Sequence, residues 1–344
     1  MTRTDHGDKD LLASTTRSAP SSQAATEGPP RRRSEATLEE KFRAKRAAWS
    51  RVAASLGSTH HIYLGDARDM RGLPPATQVH LVVTSPPYWN LKRYAEDRGG
   101  AQLGHINDLK EFLGELEKVW RRCFDLLVPG GRMCMVVGDV CRSRREHGRH
   151  LVEPLHAHLL VQGQALGFDP VAPIIWKKIA NAKTEVTGNG SAFLGKPYEP
   201  NAIIKNDIEF ILMFRKPGEY RHPTQEQRDL SMIEKEKHGA WFQQVWENVP
   251  GELQRHHPAP FPKEIAYRLI SMFSFVGDTV PDPFWGVGNT TLAAVEAHRS
   301  SIGFEIEPAY IRAARKNLQL LPGYAEVSFH EPRRGNLKPA MARA

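Results

Sequence analysis

From residue 61 onward the chain repeats one unit: a short apolar run that halts at a polar or glycine turn and gives way to a helical pattern. His61-Ile62-Tyr63-Leu64 halts at Gly65-Asp66, and Val79 to Val83 at Thr84-Ser85-Pro86-Pro87. Arg132 to Val137 halts at Gly138-Asp139, Thr279-Val280 at Pro281-Asp282-Pro283, and Ser301 to Phe304 at Glu305. Helical periodicity occupies Asp108 to Leu127, Glu264 to Phe275 and Thr290 to His298. Strands alternating with helices demand crossover connections, so the fold class is α/β, a doubly wound and mostly parallel sheet. Ligands of such sheets sit at the carboxyl ends of the strands, where the polar and glycine residues just named collect. Two further apolar runs, Ile174 to Lys177 and Ile208 to Phe214, are expected to complete the far side of the sheet.

The remaining chain divides by composition. Residues 1–34 are rich in Ser, Thr, Pro and Arg with almost no large apolar side chains, the signature of a disordered tail. Residues 35–58 read as a helix: Thr37 to Glu40 has capping-box form, and Leu38, Phe42, Trp49, Val52 and Leu56 recur at helical spacing. Residues 59–215 and 259–322 form the two parts of one catalytic domain, and 323–344 reads as a C-terminal tail. The polar stretch 216–258, with a helical patch near Gln225 to Lys237 and Trp241, Phe242 and Trp246, is the candidate recognition insert. Residues 89–107, 141–150 and 178–207 read as long loops; such loops in a compact domain are usually functional or disordered, and three together suggest a large, mobile substrate.

Among the 344 residues, 47 Lys and Arg face 39 Asp and Glu, a net charge of +8 that suits a polyanionic partner. Three cysteines, Cys123, Cys134 and Cys141, are too few and too odd for a secreted disulfide scaffold and fit a reducing cytoplasm. No apolar run approaches the roughly eighteen residues of a membrane span, and the first residues lack the apolar core of a signal peptide.

Two motifs carry chemistry. In Thr84-Ser85-Pro86-Pro87-Tyr88-Trp89, the prolines fix a stiff geometry at a strand end and leave the Pro86 carbonyl without a helical partner. A hydroxyl, a fixed carbonyl and an aromatic face thus converge, a set suited to a planar, amine-bearing substrate. In Asp282-Pro283-Phe284-Trp285-Gly286-Val287-Gly288-Asn289-Thr290-Thr291, glycines between a strand and a helix let the backbone approach a nucleotide-like ligand. Their spacing is not the dinucleotide pattern G-x-G-x-x-G. Glu305, ending the next strand, is placed to take the two hydroxyls of a ribose.

Together these motifs resemble the amino-group DNA methyltransferases that use S-adenosylmethionine, in particular the β group, in which the SPPY-type motif precedes the cofactor glycine motif. Further matching blocks are Tyr63 to Asp66, Pro129-Gly130-Gly131, Asp207 to Leu212 with Arg215-Lys216-Pro217, His257 to Pro262, and Gly303 to Glu307. The resemblance implies a Rossmann-like methyltransferase sheet with circularly permuted motif order. It implies that Ser85, the Pro86 carbonyl, Pro87 and Tyr88 form the catalytic grip on the target base. Asp282, Phe284, Gly286, Gly288 and Thr290 would line the methionine and ribose region, Glu305 the ribose hydroxyls, and Asp66 the adenine amino group. Phe261 and Pro262 would close over the amino-acid end of the cofactor. Val287 and Asn289 depart from the family, which usually has Ser or Thr and then Thr at these points. The implied partner is double-stranded DNA in the cytoplasm. A cognate restriction endonuclease and a homodimer are associations of the family that this sequence does not itself assign.

An exocyclic amine is a poor nucleophile because its lone pair is delocalised into the ring; acceptors for both amino hydrogens free that pair for attack. The base lies inside a duplex and must be flipped out. Carbon-5 methylation would need a cysteine nucleophile, and none of the three cysteines has the setting for it. Within the family, Ser at the first motif position goes with cytosine-N4 and Asp or Asn with adenine-N6. Ser85 therefore favours N4-methylcytosine, with N6-methyladenine, an inactive DNA-binding module, and RNA or protein methylation as alternatives. Lys92, Arg93, Arg142, Arg144, Arg145 and Arg149 are candidate phosphate contacts. His147, His150, His156 and His158 near Cys141 lack zinc-ligand spacing, so no metal is expected.

Overall fold

The computed structural model describes residues 52–53, 55–91, 102–178, 193–196, 198–251 and 261–331. The 1–34 segment, most of the 35–58 helix, Lys92, Arg93 and residues 252–260 lie outside the described residues. Thirteen strands are described: β1 (Ser58–Leu64), β2 (Val79–Thr84), β3 (Leu127–Val137), β4 (Val140–Arg142), β5 (Leu151–Glu153), β6 (Asp169–Lys177), β7 (Phe193–Leu194), β8 (Ile203–Ile204), β9 (Ile208–Arg215), β10 (Val245–Trp246), β11 (Thr279–Asp282), β12 (Ser300–Glu305) and β13 (Ala325–His330). The helices are α1 (Leu109–Leu126), α2 (Arg144–His147), α3 (Leu155–Ala165), α4 (Gln225–Leu230), α5 (Lys235–Trp241), α6 (Lys263–Phe273), α7 (Asn289–Glu296) and α8 (Pro308–Leu318).

One sheet runs β11-β12-β1-β13, all parallel; the other runs β10-β6-β9-β3-β2, with β9 antiparallel to both neighbours. The two meet where β2 lies against β11. Near the strand starts the Thr279 amide donates to His80 Nδ1 at 3.4 Å, and near their ends Thr84 Oγ1 donates to Asp282 at 2.7 Å. The two strands therefore run the same way and finish side by side.

Alternation along β2 and β3 shows why both faces carry helices. Val82, Met133, Met135 and Val137 face one core with Phe112, Leu116, Val119 and Trp120 of α1. Leu81, Val83, Cys134 and Val136 face the other, with Ile265, Leu269 and Ile270 of α6 and Ala293 of α7. Strands buried on both sides read as continuous apolar runs, as these do. Asp108, just ahead of α1, caps it by accepting from the Glu111 amide at 2.8 Å.

The structure departs from the sequence expectations at five places. Residues 325–330, within the stretch read as a C-terminal tail, form β13 and pair in parallel with β1. Residues 141–150, read as a loop, belong to an antiparallel β4–β5 hairpin with α2 at its tip. Within 178–207, Phe193-Leu194 and Ile203-Ile204 form a two-stranded ribbon. Helix α3 carries no apolar stripe to announce it: Leu155 and Leu159 are buried while Val161 is exposed. At the described end of the 35–58 helix, Ala53 is buried but Val52 and Leu56 are exposed, opposite to the expected apolar face. Trp241 and Trp246, for which the sequence favours core packing over recognition, are core residues, joined by a 2.8 Å bond from Trp246 Nε1 to the Trp241 carbonyl.

Candidate active site

The carboxyl ends of β1, β2, β11 and β12 surround one cleft of about 640 Å3, open mouth included. Ser85, Pro86 and Pro87 form one wall. Pro283 and Phe284 meet them from the glycine-rich turn, and Gly65, Asp66, Glu305, Ile306 and Tyr310 form the opposite side. Segments some two hundred positions apart thus share a cavity, as parallel strands ending side by side require.

Asp282 joins the two motifs from behind this wall. Its carboxylate accepts from Thr84 Oγ1 at 2.7 Å, the Phe284 amide at 3.0 Å and Thr290 Oγ1 at 2.6 Å. Burial pushes its carboxyl up to about 6, against the opposing pull of these three bonds. Asp282 and Thr290, both expected to touch a cofactor, are buried with their polar atoms turned to each other. Their place is to brace the turn that presents Phe284.

Glu305 stands at the cleft itself. Its two oxygens accept the Gly286 amide at 2.7 Å and the Glu307 amide at 2.8 Å, and burial pushes its carboxyl up to about 8. The Ile306 amide also donates to it, which leaves the carboxyl group room for about one further donor. Gly288 has φ +87°, and a Cβ there would lie 2.7 Å from Trp285 Cζ2, so only glycine fits both conformation and space. Trp285 is held by a buried polar chain: its Nε1 donates to Thr291 Oγ1, which bonds Ser301 Oγ, which bonds His60 Nδ1, which in turn reaches Ser58 through Nε2.

Asp66 lines the cleft, yet Arg68 grips both of its oxygens at 2.5–3.0 Å while also reaching Glu115. Little of its acceptor capacity faces outward. Phe261 and Pro262 are buried at the start of α6, and neither is among the residues that line the cleft. The Asn289 side chain ties them to the glycine turn by donating to the Phe261 carbonyl at 2.9 Å.

In the SPPY motif, Ser85 Oγ donates to the Val136 carbonyl at 3.0 Å and lies 3.3 Å from the Tyr88 hydroxyl. Tyr88 donates to Glu209 Oε2 at 2.9 Å, and Lys178 Nζ holds Glu209 Oε1 at 2.7 Å. The sequence reading gave Glu209 and Lys178 no role. One signal was available: a lone acid inside the apolar run Ile208 to Phe214 must find a partner when its strand is buried. Trp89, next in the chain, has φ +49° and is buried beneath Arg142, whose guanidinium lies 4.2 Å over the ring. Arg144, Arg145 and Arg149 project from the hairpin that Arg142 anchors, and all three are exposed.

Cys123 and Cys134 are buried, their thiols pushed up by desolvation, Cys134 to about 12. Neither supplies a thiolate. His156 bonds Asp139, His158 bonds Glu153 and His147 bonds Arg142.

The DNA methylase profile of the N6/N4 type matches residues 79–316, which run from the start of β2 into the last turns of α8 and take in both motifs. The chain belongs to the N6/N4 DNA methylase family. As a methylase of the β amino group, it carries the SPPY motif ahead of the glycine motif. It is 36% identical over 283 residues to the Type II methyltransferase M.MjaI of Methanocaldococcus jannaschii, covering 74% of this chain and 90% of that protein. TTHA0409 of Thermus thermophilus, a candidate DNA modification methylase solved with S-adenosyl-L-methionine, is 48% identical with a TM-score of 0.64. That match covers 78% of this methylase and 97% of the Thermus chain. The PvuII DNA methyltransferase (cytosine-N4-specific) shares the fold at 19% identity and a TM-score of 0.54, covering 78% and 88% of the two chains. No helix among the methylase's described residues is long and apolar enough to cross a membrane.

Proposed function

We propose that this methylase transfers the methyl group of S-adenosylmethionine to the exocyclic N4 of a cytosine flipped out of duplex DNA. The observation that carries this reading is the shared cleft: the Ser85-Pro86-Pro87 wall faces Phe284 and Glu305 across one cavity.

The cleft's chemistry fits the cofactor. Glu305 offers a carboxyl oxygen at a strand end for a ribose hydroxyl, and Phe284, Phe304, Ile306 and Tyr310 give an apolar lining for a purine. When bound, the cofactor supplies an electrophilic sulfonium methyl. Asp66 contributes less than the resemblance implies, because Arg68 already holds its oxygens. Phe261 and Pro262 act at one remove, by anchoring the glycine turn through Asn289.

Ser85 and the Pro86 carbonyl receive the amino hydrogens of the base. Ser85 donates its own hydrogen inward to Val136, so its lone pairs are free to accept. Accepting both hydrogens draws the nitrogen out of conjugation and frees its lone pair, with positioning supplying most of the acceleration. Tyr88 flanks the base with its ring. Serine rather than Asp or Asn at the first motif position supports cytosine over adenine. Arg142, Arg144, Arg145 and Arg149, with Lys92 and Arg93, bind backbone phosphates, and residues 216–258 read the target sequence. The Type II designation of M.MjaI supports a companion restriction endonuclease.

The test is to incubate the protein with S-adenosylmethionine and unmethylated genomic DNA, digest, and resolve nucleosides by mass. N4-methylcytosine is expected. N6-methyladenine would overturn the base assignment, and DNA binding without either product would overturn the enzymatic reading.

A further inference from the structure

We infer that Glu209 is a positioning residue for methyl transfer, acting through Tyr88 to keep Ser85 a hydrogen-bond acceptor. This rests on the reading of Ser85 as an acceptor for an amino hydrogen of the base. Ser85 Oγ and Tyr88 Oη stand 3.3 Å apart, and both reach the Val136 carbonyl, at 3.0 and 3.5 Å. Each hydroxyl has one hydrogen to give. Ser85 can aim its hydrogen inward, toward Val136 or Tyr88, while Tyr88 sends its own elsewhere.

Glu209 is that destination. Its Oε2 lies 2.9 Å from Tyr88 Oη, and an ionised carboxylate accepts more strongly than a carbonyl or a hydroxyl. The carboxylate is itself fixed. Lys178 Nζ holds Oε1 at 2.7 Å, and Glu209 pairs in register with Trp176 on the neighbouring strand β6. The Lys178 amide donates to the Asp207 carbonyl, locking the two strand ends together. Gly138 packs over both partners: a Cβ there would come 3.1 Å from Tyr88 Cε2 and 3.3 Å from Glu209 Cγ. Tyr88 therefore has little freedom to turn. Without the carboxylate, the acceptors within reach of the tyrosine hydrogen include Ser85 Oγ and the Val136 oxygen. The first takes a Ser85 lone pair, and the second competes for the acceptor that draws the Ser85 hydrogen inward.

Single-turnover methylation of DNA and equilibrium binding of S-adenosylmethionine test this in Glu209→Leu, Glu209→Gln, Tyr88→Phe and Glu209→Leu/Tyr88→Phe. Glu209→Leu is expected to slow transfer about tenfold to a hundredfold, the size of one hydrogen bond to a charged group expressed as a rate. Glu209→Gln keeps an acceptor oxygen and stays within a few-fold of wild type. The double variant recovers to the rate of Tyr88→Phe alone, because the misdirected hydrogen is gone. Cofactor affinity stays within about twofold throughout. A purely structural role predicts no recovery in the double variant, and that result, or equal losses in Gln and Leu, overturns the proposal.

If Glu209→Leu fails to fold because Lys178 is left unpaired, Lys178→Met/Glu209→Leu removes the ion pair as a unit, with and without Tyr88→Phe. Recovery by Tyr88→Phe in that background supports the proposal and its absence overturns it. Ser85→Ala in parallel separates the two readings. Full activity there fails the acceptor role of Ser85 itself, whereas loss there without recovery in the Glu209 series fails only the present inference.

Discussion

Thr84 and Asp282 are 198 positions apart in sequence and 2.7 Å apart in space, joined by a buried hydrogen bond between the last residues of two parallel strands. This bond fixes the Ser85-Pro86-Pro87 wall relative to the turn that presents Phe284. Replacing Thr84 by Val leaves the shape but removes the donor. Thr84→Val is therefore expected to destabilise the fold by about 1–3 kcal/mol, the penalty of a buried polar group left short of a partner. Urea unfolding followed by circular dichroism measures it, and an unchanged midpoint would show the bond to be dispensable.

Ser85→Ala removes the acceptor at the cleft while keeping its backbone. The transfer rate is expected to fall roughly a hundredfold or more, as when one preorganised hydrogen-bonding group is removed from an active site. Affinity for S-adenosylmethionine should hardly change, since the proposed contact of Ser85 is with the base and not the cofactor. Calorimetry beside a single-turnover assay separates the two quantities, and parallel losses would mark Ser85 as structural.

Gly288→Ala places a Cβ against the Trp285 ring at a positive φ. Both effects oppose the native turn, so a destabilisation of about 1–3 kcal/mol is expected, together with weaker cofactor binding. Thermal unfolding with and without cofactor reads both. A neutral result would mean that the Trp285 ring can give way.

His60 is buried between Ser58 and Ser301, and desolvation lowers its pKa to about 4. A base with a depressed folded pKa lends stability that is complete above its unfolded value of 6.5 and is lost as pH falls toward 4. Wild type should exceed His60→Asn in stability at about pH 7.5, and the gap should shrink by roughly 3 kcal/mol on reaching about pH 4. Chemical denaturation across that range tests the sign. A gap that widens on acidification would contradict the neutral, buried state of the ring.

Arg144 and Arg145 project from the β4–β5 hairpin, whose base is anchored on Trp89 beside the catalytic motif. Arg144→Ala/Arg145→Ala should weaken binding to DNA of any sequence and lower the slope of log affinity against log salt by about 2, one for each phosphate deprived of its cation. Fluorescence anisotropy over a salt series measures it. An unaltered slope would move the DNA path away from the hairpin.

The sequence was legible wherever one local rule dominated. Strands such as β2 and β12 announce themselves by apolar runs cut off at polar turns, and the resulting topology places Ser85 near Glu305 without any coordinates. What escaped depends on partners distant in the chain. The strand β13 does alternate apolar and polar residues (Ala325-Glu326-Val327-Ser328-Phe329-His330), but it is one short run following a polar turn, and its place in the sheet is set by pairing with β1. Helix α3 has no clear division into polar and apolar faces, so periodicity gave no signal; its Gly163 is instead fitted to the ring of Phe214. For Asp282 the resemblance implies a cofactor contact, and no sequence signal announced the burial and the three internal donors that its carboxylate takes. Glu209 had no visible purpose until Tyr88 and Lys178 were seen at its two oxygens.

The placement of β1 bears on how the protein is made. Among the described residues β1 pairs with β12 and β13, whose residues follow it in the chain by more than two hundred positions. While the ribosome works through the intervening two hundred and more residues, Ser58–Leu64 has neither neighbour and both its edges are open. The β11-β12-β1-β13 sheet can assemble only once residues 300–330 have been made, so a chain broken off before residue 300 leaves β1 exposed and prone to mispairing.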